Sequence, residues 1–146
     1  MTSKVEAFLS AQQEEEIVEA IRAAELRTSG EIRVHLESSC AGNAYTRAQE
    51  LFHQLKMDNT KDANGILFYL AVDDRKFAVL GDSGINQVVP ENFWNSIKDG
   101  MEARFRESEF TKGLITGIHQ VGQKLAAYFP WHKDDINELP DEITTS

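Results

Sequence analysis

Asp62 and Asn64 precede a glycine in Asp62-Ala63-Asn64-Gly65, Asp82 sits between glycines in Gly81-Asp82-Ser83-Gly84, and Asp73-Asp74 lies between the two segments. Carboxylate and amide oxygens on flexible backbone are the donors that hard divalent cations, calcium or magnesium, accept. A cation held this way could in turn orient and polarise a phosphate. For Asp62 and Asp82 ordinary turn chemistry competes with this reading on equal terms. For Asp73 and Asp74 a hairpin turn, which uses Asp for its conformational tolerance, is the favoured reading.

Other chemistries find less support. Gly-Asp-Ser-Gly around Ser83 has the look of a hydrolase nucleophile motif, but it follows an antiparallel strand and leads to a loop rather than a strand–turn–helix elbow. His35, His53, His119 and His132 have no zinc-ligand spacing. Cys40 is the single cysteine, so it forms neither an intramolecular disulfide nor a thiolate cluster, and it reads as a free thiol. No phosphate-binding loop ending in Gly-Lys-Ser/Thr and no Gly-x-Gly-x-x-Gly is present.

The elements that must position these residues can be read from periodicity. Ser10 and Gln13 form a capping box ahead of a helix striped by Ile17, Ala20, Ile21 and Ala24, with Glu14, Glu15 and Glu16 at its positive end and a stop at Gly30. Glu31 to Glu37 alternates strictly and predicts a half-buried strand, with Ile32, Val34 and Leu36 inward and His35 partly exposed beside a carboxylate. A second helix carries Ala48, Leu51, Phe52 and Leu55. Ile66 to Val72 is continuously apolar and predicts a strand buried on both faces, and the short Asp73-Asp74-Arg75 link forces Lys76 to Leu80 back antiparallel. Two helices follow, striped by Phe93, Trp94, Ile97 and Met101 and by Leu114, Ile118, Val121 and Leu125, with His119 off the stripe. The order αβαββαα, with a right-handed parallel crossover between the first two strands, predicts a three-layer α/β/α sandwich with a small mixed sheet. Strand direction then brings Glu31, Asp62, Asn64 and Asp82 to one sheet edge, and Asp73 and Asp74 beside Glu37 and Ser38 at the other.

The bulk properties set limits on function. The chain has 146 residues, which suits one domain, with 41% hydrophobic residues for a core. A net charge of −9 disfavours nucleic acid and anionic lipid and leaves carboxylates for cations. No apolar run approaches the roughly 20 residues of a membrane span. Met1 to Ala7 lacks a basic region followed by an apolar stretch, so a cytoplasmic location is expected. Residues 1–132 read as the domain and 133–146 as a disordered acidic tail.

Taken in order, Asn64-Gly65-Ile66-Leu67-Phe68-Tyr69-Leu70 and Asp74-Arg75-Lys76-Phe77-Ala78-Val79-Leu80-Gly81-Asp82-Ser83-Gly84-Ile85 resemble the TPM domain family. The Leu9-Ser10 helix start, Ser29-Gly30-Glu31-Ile32, and the stretch from Phe110 to Pro130 fit as well, so the resemblance runs from about Phe8 to Pro130. The family includes bacterial proteins of unknown role and a plant thylakoid-lumen protein linked to photosystem II repair. The resemblance implies an α/β/α sandwich, divalent-cation binding with calcium first, and an acid phosphatase activity proposed for the plant branch. Family members often place an Asp where this chain has Ala63, and an aromatic residue where it has Asp82. Many relatives are exported or end in a membrane span, so this chain looks like a stand-alone version. The expected function is a calcium- or magnesium-binding domain. The alternatives are a metal-assisted phosphomonoesterase acting on a phosphorylated small molecule, and a protein-interaction module in complex assembly or repair.

Overall fold

The computed structural model describes residues 9–131 and 143–146. In chain order the elements are α1 (Ala11–Glu25), β1 (Glu31–Glu37), α2 (Ala44–Gln54), β2 (Gly65–Ala71), β3 (Lys76–Gly81), α3 (Ser83–Asn86), α4 (Phe93–Arg106), α5 (Phe110–Leu125) and β4 (Thr144–Thr145). The capping box forms: Ser10 Oγ accepts from Gln13 N and Gln13 Oε1 accepts from Ser10 N. The helix ends at Glu25, ahead of Gly30, and no glycine has positive φ. Gly30 is a packing glycine instead, for a Cβ there would lie 3.2 Å from Ile66 Cδ1.

The sheet order is β3-β2-β1-β4. β1 runs parallel to β2, with Glu31 opposite Gly65 and Glu37 opposite Ala71, and β3 returns antiparallel, with Gly81 opposite Ile66. One face carries Ile32, Val34, Leu36, Ile66, Phe68, Leu70 and Val79 against α1, α4 and α5; on the other, Leu67, Tyr69, Ala78 and Leu80 pack under Ala48, Leu51 and Phe52 of α2. Helices cover both faces, which is the expected three-layer α/β/α sandwich.

Three features depart from the sequence pattern. β1 is buried on both faces, Arg33 and His35 included, rather than half-buried. A one-turn helix, α3, follows β3 directly where a loop was expected, because Asp82 caps it through Ser83 N. The third departure concerns the expected acidic tail. Much of it lies outside the described residues, but Thr144 and Thr145 pair parallel to His35 and Leu36 as a fourth strand. The reading of a disordered tail through residue 146 is therefore corrected for its last residues, whose Thr-Thr pair has the β propensity that acidic neighbours masked.

Candidate functional site

At the edge where β1 and β2 begin and β3 ends, three separate segments meet through their backbones. Glu31 N donates to Asn64 O (3.2 Å), Asp82 N to Gly65 O (3.0 Å) and Gly84 N to Ala63 O (2.9 Å). Gly84 is required by this approach: a Cβ there would lie 2.3 Å from the Asp62 carbonyl oxygen and 2.6 Å from that of Ala63. Ala63 is forced to a positive φ of 50°. Topology thus joins the Glu31, Asp62–Asn64 and Asp82–Gly84 segments as strand direction requires.

The side chains are arranged less simply. Asp62 is exposed, while Glu31 and Asn64 are buried, and Asn64 Nδ2 donates to Ser29 Oγ at 3.3 Å. Asp82 divides its roles: Oδ1 accepts from Ser83 N at 2.7 Å, whereas Oδ2 is shielded from solvent and accepts no hydrogen bond from the described residues. Among the described residues no three His, Cys, Asp or Glu side chains gather to hold a metal. Any cation at this edge would therefore draw on carbonyl and amide oxygens as well as carboxylates. Ser83 is exposed, and it is its backbone N–H that Asp82 holds.

At the opposite edge, Asp73 and Asp74 do turn chemistry. Both are exposed, Arg75 has φ 53°, and Asp73 N donates to Ser38 O at 2.8 Å. Asp74 Oδ2 accepts from Cys40 N at 2.7 Å, and Lys76 Nζ donates to the Cys40 and Gly42 carbonyls at 2.9 Å each, so the pair pins the loop that follows β1.

Next to this loop lies a polar network that periodicity did not reveal. Arg47 of α2 grips Glu37 with Nη2 to Oε1 at 2.7 Å and Nε to Oε2 at 3.1 Å. Tyr69 Oη donates to Glu37 Oε2 at 2.5 Å and Ser146 Oγ to Oε1 at 3.1 Å. His35, expected to be partly exposed, is 2% exposed, with Thr144 Oγ1 2.7 Å from Nδ1 and Ser146 Oγ 2.6 Å from Nε2. The Arg47 hydrogen bonds above all hold the Glu37 carboxyl down at about 2. Burial pushes His35 down to about 4, against the pull of Glu37. Burial, and then the bond to Glu37, raises the Tyr69 phenol. The available clue was positional: His35 and Glu37 share one face of β1, and the parallel register places Tyr69 beside His35.

These features define a class: a three-layer α/β domain with one loop edge rich in oxygen donors and a part-buried polar network at the other. The TPM domain profile matches residues 3–124, and the chain belongs to that family. BA42 from the psychrophilic bacterium Bizionia argentinensis, solved by NMR, is 50% identical over 98% of this chain and 99% of its own, with TM-score 0.92. The N-terminal domain of a P. gingivalis protein is 28% identical over 85% of this chain and 81% of its own, with TM-score 0.69. The N-terminal domain of cg2496 from Corynebacterium glutamicum, 15% identical over 81% and 74% with TM-score 0.66, shares the fold. No functionally curated protein matches the chain. Among the described residues no helix is long and apolar enough to cross a membrane.

Proposed function

We propose that this domain binds a divalent cation, calcium in the first place, at the edge formed by Glu31, Asp62–Asn64 and Asp82–Gly84. The observation that carries this reading is Asp82 Oδ2, a buried carboxylate oxygen with no hydrogen-bond partner among the described residues. Burying such an oxygen without a donor costs several kcal/mol, on the order of an unpaired buried polar group, and a cation would remove that cost. The same edge carries the hard oxygens calcium takes: the Asp62 and Ala63 carbonyls that approach Gly84, with the Asp62 carboxylate and the Asn64 amide oxygen on the same segment.

Asp82 would be the anchoring ligand, with Asp62 and Asn64 completing the set and Glu31 adding negative potential from the start of β1. When bound, the ion would tie three segments together and present a positive charge to an anionic group such as a phosphate. The reading is binding without strong catalysis; a phosphomonoesterase would need the same ion as its clamp.

Calcium titration followed by amide NMR, with thermal melts beside it, tests the proposal. Shifts centred on Gly65 and Gly84, together with a raised melting temperature, are expected, since a ligand that binds only the folded form stabilises it. Unchanged spectra at millimolar calcium and magnesium would end this reading. Hydrolysis of an aryl phosphate that persists in Asp82→Asn would place any phosphatase elsewhere.

A further inference from the structure

His35 is enclosed from two unequal sides. On one, Tyr69 of β2 stacks on its ring with centroids 6.4 Å apart, and β2 pairs with the whole length of β1. On the other lies β4, a two-residue strand paired parallel at the outer edge of the sheet, where parallel pairing is the weaker kind. Thr144 Oγ1 stands 2.7 Å from Nδ1 and Ser146 Oγ 2.6 Å from Nε2. Ser146 N donates to Leu36 O at 3.0 Å, and Ile143 packs against the main core.

Among the described residues, the charged and titratable groups facing the ring are Arg33 and Glu37 on β1, Tyr69 on β2 and Arg47 on α2, while residues 144–146 bring hydroxyls. Glu37 is held at about 2, the Tyr69 phenol is raised and the arginines keep their charge. Of these groups His35 alone changes charge between neutral pH and pH 4. No carboxylate among the described residues touches either ring nitrogen, and that of Glu37 is committed to Arg47, Tyr69 and Ser146. A neutral ring takes a hydrogen from one hydroxyl and gives one to the other. The cation has only hydrogens to give, so one hydroxyl must turn about, and the charge gains no ionic partner while β4 is closed. Water reaches the ring at least cost where the least structure is undone, which is at β4.

We propose that β4 is an acid-released latch: at neutral pH residues 143–146 lie closed over His35, and protonation of the ring lifts them off the outer edge of β1 while the rest of the domain stays folded. The direction follows from linkage. The enclosed ring sits at about 4 and a solvated one near 6.5, so full protonation favours the open latch by roughly 300-fold. That bias is absent above pH 6.5, grows as pH falls through the window and is complete below 4.

The test follows amide and imidazole NMR signals of the full chain from about pH 7.5 to about pH 4, beside those of the His35→Gln variant. In unaltered protein the Thr144, Thr145 and Ser146 amides should move towards random-coil positions, with a midpoint shared by the His35 ring protons, while the β2 amides hold. In His35→Gln, which keeps a hydrogen-bonding side chain without a titrating charge, the same amides should stay in place. Amides of residues 144–146 that hold still down to pH 4 would overturn the proposal, since the ring then titrates under a closed strand or not at all. So would equal movement in His35→Gln, which would assign the release to another group, or movement only together with β2, which would mean unfolding of the whole domain. If the variant does not fold, unaltered protein decides: separate midpoints for the His35 ring and the β4 amides would overturn the proposal.

Discussion

Arg47 and Glu37 meet end to end, the guanidinium edge of an α2 residue laid along both carboxylate oxygens of the last residue of β1. The pair is largely withdrawn from solvent, with side-chain exposures of 28% and 13%. Such a fork tolerates loss of both members better than loss of one, because a lone buried charge is worse than none. Glu37→Gln alone should cost about 2–3 kcal/mol in urea unfolding. Glu37→Gln combined with Arg47→Met should cost clearly less than the two single changes added, with a coupling of about 1–3 kcal/mol. Strict additivity would mean the pair is not coupled in solution. Arg47→Lys should also destabilise, since a point charge cannot hold both oxygens.

His35 makes stability depend on pH in a definite direction. Its folded value is about 4 against the usual 6.5, so between those values the unfolded chain binds a proton that the folded chain refuses. Stability is full above pH 6.5 and falls as pH drops towards 4, by an amount of the order of 3 kcal/mol for this group. Glu37, held at about 2 against the usual 4.5, adds a second loss in the lower window between those values. His35→Gln should remove the upper phase and leave the lower one, as read from unfolding free energies across pH 3 to 7 by the same linkage. An upper phase that survives the substitution would assign it to another group.

Much of the scaffold could be read in the chain because alternation and apolar runs report burial directly. The continuously apolar Ile66 to Val72 announced a strand covered on both faces, and the short link at Asp73–Arg75 set the direction of β3. Chain direction then brought Glu31, Asp62–Asn64 and Asp82–Gly84 to one edge. What it could not show was side-chain aim. Asp82 turned out to cap a one-turn helix with one oxygen and bury the other. Alternation also misled at β1, where Arg33, His35 and Glu37 look like a solvent face, yet Arg33 and His35 are buried and His35 and Glu37 carry polar partners. Those partners, Arg47, Tyr69, Thr144 and Ser146, lie far away along the chain and follow no period.

Ala63 occupies the left-handed region at φ 50°, where a Cβ is unfavourable by about 1 kcal/mol. Ala63→Gly should therefore leave stability unchanged or raise it by up to about 1 kcal/mol, the relief of strain being partly offset by the added freedom of the unfolded chain. Its neighbour behaves in the opposite way. Gly84→Ala would drive a Cβ into the Asp62 and Ala63 carbonyls and should cost about 1–3 kcal/mol. Paired melts of the two variants check both signs, and a neutral Gly84→Ala would show that this edge yields more readily than its packing indicates.

The same edge yields the sharpest test of cation binding. Asp82→Asn keeps a cap oxygen for Ser83 N but replaces the charge on the buried oxygen. Removing the charge from a carboxylate with one shielded, unpartnered oxygen should stabilise the metal-free protein or leave it unchanged, whereas removing a ligand should abolish the calcium-dependent rise in melting temperature. The two effects have opposite signs, so a structural role for Asp82 cannot imitate a ligand role. Ala63→Asp works in the other direction. It adds a carboxylate at a position that tolerates Asp in the left-handed region, beside Asp62 and within the segment that Gly84 contacts. Calcium affinity should rise, because affinity at such sites follows the number of charged ligands. Calorimetric titration of the parent and both variants should rank Ala63→Asp above the parent and the parent above Asp82→Asn. Equal affinities across the three would remove the ion from this edge.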